Sequence, residues 1–313
     1  MKPMLASDFD PAKLFKDGPV GLQPKIDGVR SLTTEGCLTG RSLKRHKNLY
    51  TTAFFSRAEY AHLDGEMAAY EETAPDLCRR TSSALGTIQG EPFILWHVFD
   101  LLTPETIGLP YWSEDGNGRY NILCDHVRWL QSQGVAGHLR VVPMEIVHTP
   151  EEYEKYRAQR ELEGYEGVII RKLAGLHKQG RSTVREGGLL RDKQFIKEEA
   201  VVISISEGET NLNEAQTNEL GNTFRSSHQE NKLPNGRVGS LQCTIVADSD
   251  LFKAGQVITV SKGEMTDDIA RHYFENQSEL VGKTIVFKHF PKGVKDKPRF
   301  PTWVSIRSEE DMS

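Results

Sequence analysis

Cysteine is scarce in this chain. The four cysteines among 313 residues, Cys37, Cys78, Cys124 and Cys243, are scattered and form no CxxC pair. This excludes a disulfide framework and a thiolate zinc site, and it predicts reduced thiols in a cytosolic setting. Long hydrophobic runs are missing too. No stretch approaches the length needed to cross a bilayer, so no membrane partner is expected. The start, Met1-Lys2-Pro3-Met4-Leu5-Ala6-Ser7-Asp8, lacks the apolar core of a secretion signal, and a cytoplasmic location follows as the expectation. Nor is there an excess of positive charge. Lys and Arg number 39 against 44 Asp and Glu, a net charge of −5.

The distribution of charge says more than its sum. Between Arg171 and Lys197 eight basic residues face two acids, and between Lys283 and Arg299 six face one. The segment Arg41-Ser42-Leu43-Lys44-Arg45-His46-Lys47 is basic as well. A lone basic cluster is ordinarily a solvated face. Three in an acidic chain point to a surface that meets phosphate.

The length suits two cores. Short runs rich in β-branched and aromatic residues predict strands within Val20–Thr33, with a break at Asp27-Gly28, and over 62–70, 93–102, 139–147 and 167–172. Helical spacing of Leu123, Val127 and Leu130 predicts a helix over 120–133. A second helix begins at Thr149-Pro150-Glu151-Glu152, with Thr149 as cap, Pro150 in the first turn and Glu152 completing a capping box. A boundary is expected near residue 199, giving domains 1–198 and 199–313. The second begins with a β run over 200–206. The stretch 207–239, polar and poor in apolar residues, reads as disordered or as a functional loop. Strands resume over 240–247, 256–260, 284–290 and 302–306, with a helix capped by Thr266 before the last two. Five strands arranged so suggest a small OB-type barrel.

The sharpest chemical signal is Lys25-Ile26-Asp27-Gly28-Val29-Arg30 at a strand end. A lysine there is ordinarily an exposed charge, and its neighbours change that reading. Gly28 permits a tight turn, and Arg30 returns on the next strand where it can face a phosphate or ribose. An amine with a free pKa of about 10.4 attacks phosphorus only after losing a proton, which burial, a neighbouring cation or a metal favours. The candidate cations are Arg41, Arg181, Arg191 and Lys193. Asp64-Gly65-Glu66 and Glu166-Gly167 offer hard oxygen ligands of the kind Mg2+ takes when it bridges phosphates. Each alone is common turn chemistry. Phe99 can offer a flat face to a base, although one aromatic in a strand is more often core. Arg191 and Lys193 lie two apart on a predicted strand and so share a face suited to a triphosphate; an edge strand with protective charges is the competing reading.

The ordered set resembles the covalent nucleotidyltransferase superfamily: Lys-x-Asp-Gly-x-Arg, an Arg, Asp-Gly-Glu, Phe-Asp, Glu-Gly and a cation-x-Lys pair. Within it the chain resembles the small viral ATP-dependent DNA ligases. The likeness covers roughly residues 15–311 and includes Gly180-Arg181-Ser182-Thr183 and Arg299-Phe300-Pro301 through Asp311. It implies an α+β fold, with an antiparallel-sheet nucleotidyltransferase (adenylation) domain followed by a C-terminal OB-fold β-barrel. It implies an enzyme that seals 3′-hydroxyl/5′-phosphate nicks in duplex DNA, as a monomer, through a lysyl-AMP and then a DNA-adenylate. ATP is the nucleotide, AMP the covalent adduct, and Mg2+ the metal, with Mn2+ as a substitute.

By this resemblance Lys25 takes the adenylate. Gln23, Arg30, Glu66, Phe99, Arg191 and Lys193 bind ATP and AMP, with Phe99 stacking on adenine and Gln23 reading its edge. Arg41, Arg181 and Arg225 meet the nick phosphate and DNA. Glu66 and Glu166 serve ribose and metal, and Arg307 and Asp311 orient pyrophosphate. The polar stretch 207–239 matches in place a DNA-clasping latch. The chain departs from the pattern at Arg191, where the family has lysine, and after Asp311, where Met312 replaces a basic residue. Two other readings stay open: an RNA ligase or capping guanylyltransferase, which shares the lysine chemistry, and a catalytically silent nick-binding module.

Overall fold

A computed structural model describes residues 1–291 and 297–307. The chain divides into two compact units, Met1–Lys193 and Gln194–Ser313. The boundary expected after residue 198 falls inside the strand Ile196–Asn211, which belongs to the second unit.

The first unit is built on two five-stranded sheets. One has the order Ser7–Asp8, Leu189–Lys193, Gly167–Lys172, Val20–Lys25 and Glu145–Val147. The other has the order Cys37–Gly40, Val29–Thr34, Leu63–Ala68, Leu95–Leu101 and Leu139–Val141. The expected strand 139–147 is therefore two short strands, one in each sheet. Most pairings are antiparallel.

Alternation along the strands decides what each face does. In the first sheet Leu22, Val168, Ile170 and Leu190 point to one side. They pack on Tyr153 and Tyr156 of the helix Pro150–Leu162. That helix starts as the sequence predicts: Thr149 Oγ1 accepts from Glu152 N at 3.2 Å. Glu152 reaches back to His148 N at 2.6 Å, one residue before the cap. The opposite face of the sheet carries Gln23, Lys25, Ile169, Arg171, Arg191 and Lys193. The second sheet packs Leu63, Met67, Trp96 and Val98 against the helix Arg119–Ser132 through Leu123, Val127 and Leu130. Two further helices, Leu49–Phe55 and Leu77–Gly86, complete the unit.

In the second unit five strands close into a barrel: Ile196–Asn211, Lys232–Ile245, Val257–Ser261, Arg299–Ile306 and Thr284–Phe290. Numbered along the chain, this is the order 1-2-3-5-4, with a parallel contact between the third and fifth strands. The helix Asp267–Glu275, capped by Thr266, lies between the third and fourth strands in sequence. The core includes Val202, Leu241, Cys243, Val260, Ile285 and Phe287. The polar stretch 207–239 is largely paired rather than a loop. Glu207 stands opposite Val238, Thr210 opposite Leu233 and Asn211 opposite Lys232, so two barrel strands run on as a ribbon. A smaller hairpin, Ala215–Thr217 with Thr223–Arg225, lies within it. The ribbon is exposed on both faces, which is why no apolar alternation announces it.

Candidate functional site

Three strands of the first sheet bring the central residues together. Lys25 stands opposite Gly167, and Gly167 opposite Lys193. The two lysines therefore flank a residue with no side chain. Gly167 has φ +152°, and a Cβ there would lie 2.1 Å from the Asp192 carbonyl oxygen, so only glycine lets these strands close on each other. Glu166, immediately before it, is buried, and its N–H donates to the Lys25 carbonyl at 3.0 Å. Its carboxylate bridges the two amines. Oε2 accepts from Lys25 Nζ, and Oε1 lies 2.7 Å from Lys193 Nζ.

The electrostatics follow from that geometry. Burial raises the Glu166 pKa, but the charges of Lys25 and Lys193 outweigh it and hold the carboxyl below its ordinary value. Burial, and then the charge of Lys25, depress Lys193 against the opposing pull of Glu166.

The turn Asp27-Gly28 carries the chain from this sheet to the second. A Cβ on Gly28 would sit 2.2 Å from the Met67 carbonyl oxygen and 2.9 Å from Glu66 Cγ. Arg30 and Glu66 are opposite each other on the neighbouring strands, as are Leu32 and Asp64. Arg30 makes a two-point pair with Asp64, Nε to Oδ1 at 2.6 Å and Nη2 to Oδ2 at 2.7 Å. Burial pushes Glu66 up to about 7, even though Lys25 and Arg30 pull it down.

Phe99 is set by a bulge. Asp64 opposes Asp100 while Gly65 opposes Val98, which leaves Phe99 as the extra residue. The Arg30 guanidinium lies 4.4 Å from its ring centroid and that of Arg171 lies 5.2 Å away. Gln23 is 1% exposed. Its Oε1 accepts from Tyr111 Oη at 3.1 Å and Arg171 Nε at 3.2 Å, and its Nε2 donates to the Val142 carbonyl at 3.2 Å. These bonds commit the amide oxygen and one of the two amide hydrogens.

The remaining expected residues are more dispersed. Arg191 shares the face of Lys193 and pairs with Asp8, Nε to Oδ1 at 2.7 Å. Arg181 is exposed and donates to the Ala6 carbonyl at 2.6 Å. Arg41 is exposed in the turn after Cys37–Gly40, with no contact tying it to the lysine pair among the described residues. In the second unit, Arg225 donates to the Asn213 carbonyl, and Arg307 Nε lies 3.1 Å from Glu199 Oε1. Asp311 lies outside the described residues.

Sequence reasoning missed a buried polar network. Arg119 is 1% exposed and pairs with Asp100 at 2.9 Å. It also donates to the carbonyls of Leu109 at 2.6 Å and Gly175 at 3.2 Å. Arg171 lies 3.9 Å from the same Asp100 and 4.3 Å from the Tyr111 ring. Alternation alone could have found Arg171, two residues from Ile169 on the face of Gln23. Arg119 and Tyr111 had no local signal. A second network joins Glu72 to Tyr165 Oη and, at 2.9 Å, to His97 Nδ1, tying the residue before Glu166 to the second sheet.

No protein-family model matches the sequence, and no curated protein matches it. Solved structures do. Chlorella virus DNA ligase-adenylate is 25% identical, with a TM-score of 0.50, and the match covers 98% of this chain and 99% of that one. A second crystal structure of that ligase-adenylate gives 25% identity and a TM-score of 0.50, covering 99% of each chain. A Lig E DNA ligase, described as binding DNA with a minimal scaffold, is 19% identical with a TM-score of 0.66, covering 98% of this chain and 99% of that one. The last likeness is one of fold. The two-unit architecture, with mixed sheets followed by the closed barrel, is that of the small ATP-dependent DNA ligases.

Proposed function

We propose that this chain is an ATP-dependent DNA ligase that seals nicks in duplex DNA through an adenylate carried on Lys25. The observation that carries the reading is the Lys25–Glu166–Lys193 cluster at the junction of three strands. It occurs in a chain that matches a DNA ligase-adenylate over nearly all of both lengths. No feature of the described residues favours RNA joining, guanylate transfer or silent binding.

The residues divide the work as follows. Lys25 Nζ, after losing a proton to solvent, attacks the α-phosphate of ATP; the N–P bond forms as the bond from the α-phosphorus to the bridging oxygen breaks, and pyrophosphate leaves with that oxygen. Lys193 and Arg191, on the same face two residues apart, hold phosphate oxygens as negative charge builds. Phe99 offers its ring to adenine. Gln23 has one amide hydrogen left for the base edge, and Glu66 faces the ribose beside Arg30. The adenylate then passes to the 5′-phosphate of the nick. The 3′-hydroxyl attacks that phosphate and AMP departs. Arg41, Arg181 and Arg225 are the exposed cations assigned to the DNA backbone, and Arg307, with Asp311, serves pyrophosphate.

Glu66 and Glu166 are the carboxylates that would hold Mg2+, Glu166 by exchanging a lysine contact for the ion and Glu66 by giving up its proton. No cluster of three or more His, Cys, Asp or Glu side chains able to hold a metal exists among the described residues. Two acids suit an ion that keeps most of its waters and is shared with substrate phosphates. When bound, the ion would neutralise charge on the phosphates. No helix among the described residues is long and apolar enough to cross a membrane. The enzyme is assigned as a monomer, with 207–239 as the segment that clasps DNA.

The test is incubation with labelled ATP and a nicked duplex, following protein label and joined product together. Lys25→Ala is expected to lose both. Adenylate found by mass spectrometry on the Lys25→Ala chain would move the nucleophile elsewhere.

A further inference from the structure

Three of the arginines assigned to nucleotide or DNA are held by one short segment, residues 4–8. Arg30 Nη2 donates to the Met4 carbonyl at 3.3 Å, and Arg181 Nη1 donates to the Ala6 carbonyl at 2.6 Å. Arg191 Nε meets the Asp8 carboxylate at 2.7 Å. The segment is itself fixed. Met4 and Leu5 pair with Gly180 and Arg181, and Ser7 and Asp8 pair with Leu190 and Arg191. The N–H of Phe9 donates to the Arg191 carbonyl at 2.9 Å. Asp8 therefore stands beside Arg191 by backbone register, not by chance approach of two long side chains.

We infer that Asp8 is a positioning residue for Arg191, setting the plane of its guanidinium so that the free edge receives a phosphate of ATP. The inference rests on the reading of Arg191 as a phosphate ligand. A guanidinium has two usable edges. Asp8 occupies the Nε side, and among the described residues the opposite edge with both terminal amino groups is left for a second oxyanion. Lysine, which the resembled family has here, offers no such division, because an ammonium has no plane to fix. The pair is a poor device for stability. Asp8 is 80% exposed and Arg191 30% exposed, and ion pairs so open to water contribute little to folding. Its effect should fall on ATP binding.

The experiment measures the rate of AMP transfer to the full-length chain as a function of ATP concentration. Asp8→Asn is expected to raise the ATP concentration for half-maximal rate about five- to tenfold, the worth of one charge-assisted orienting contact, with the limiting rate nearly unchanged. Its melting temperature should match the wild type. Asp8→Glu should restore most of the loss. In an Arg191→Lys background, Asp8→Asn should cause no further weakening. Equal losses in both backgrounds, no change in the wild-type background, or tighter ATP binding by Asp8→Asn would each overturn the role; the last would mean that Asp8 competes with phosphate. A wild-type chain that takes no label from ATP would instead overturn the nucleotide reading, and the role of Asp8 with it.

Discussion

Replacing Glu66 by glutamine should make the protein more stable at pH 8 than the wild type while reducing its labelling by ATP. The carboxyl is raised from 4.5 to about 7, first by burial, against the pull of Lys25 and Arg30. The folded chain thus prefers the neutral acid. Its contribution to stability is complete below about 4.5 and is lost as pH rises through about 7. At about 1.4 kcal/mol per pH unit, the full penalty of the ionised form approaches about 3 kcal/mol. Glutamine mimics the neutral acid and escapes it. For a unit of this size that corresponds to a gain of about 6–12 °C in melting temperature at pH 8, and almost none at pH 4. The assay is thermal unfolding of both proteins at intervals from pH 4 to 8, paired with AMP transfer at each pH. Melting curves that run parallel across this range would refute the argument, because they would mean that Glu66 ionises in the fold as freely as in water. A stabilising change at a residue assigned to substrate binding is what a strained binding site predicts.

Other outcomes follow from the same structure. Gly28→Ala places a Cβ 2.2 Å from a backbone oxygen and should cost about 2–4 kcal/mol, read from the urea midpoint. Its cost should exceed that of Gly36→Ala, where φ is positive at +70° but no atom lies within 4 Å. Arg119→Met leaves Asp100 buried without its partner at 2.9 Å and should cost about 3–5 kcal/mol. Adding Asp100→Leu should recover part of that loss in a thermal melt, and a double variant no better than the single would count against the pair.

Local chemistry was legible wherever a short segment carries its own pattern. The five barrel strands show alternation or dense β-branching and each overlaps the run that pattern predicts, although the first two extend into the stretch expected to be a loop. The helix at Pro150 announces itself by its cap, and the one at Asp267 by Thr266. The short helices Leu49–Phe55 and Leu77–Gly86 do not. The first is capped by the buried Asn48, whose side chain also reaches the carbonyls of Thr87 and Gly90 at 3.0 and 3.1 Å. The ribbon within 207–239 was illegible because its pairing buries neither face, so backbone hydrogen bonds hold it without an apolar signature.

By itself the sequence determined the residue types of the site and their order: a lysine before Asp27-Gly28, two acid–glycine pairs, and two cations spaced to share a strand face. Those follow from alternation and turn chemistry, which act over a few residues. Only the tertiary structure decided which of them meet. Lys25 and Glu166 are 141 positions apart and touch because their strands are neighbours. Asp8 finds Arg191 across 183 positions by the register of an edge strand. Gln23 is buried by Tyr111 and Arg171, partners that no local pattern names. Strand order and register arise from packing of the whole unit, and they determine which charges stay paired and which side chains keep a hydrogen bond to offer.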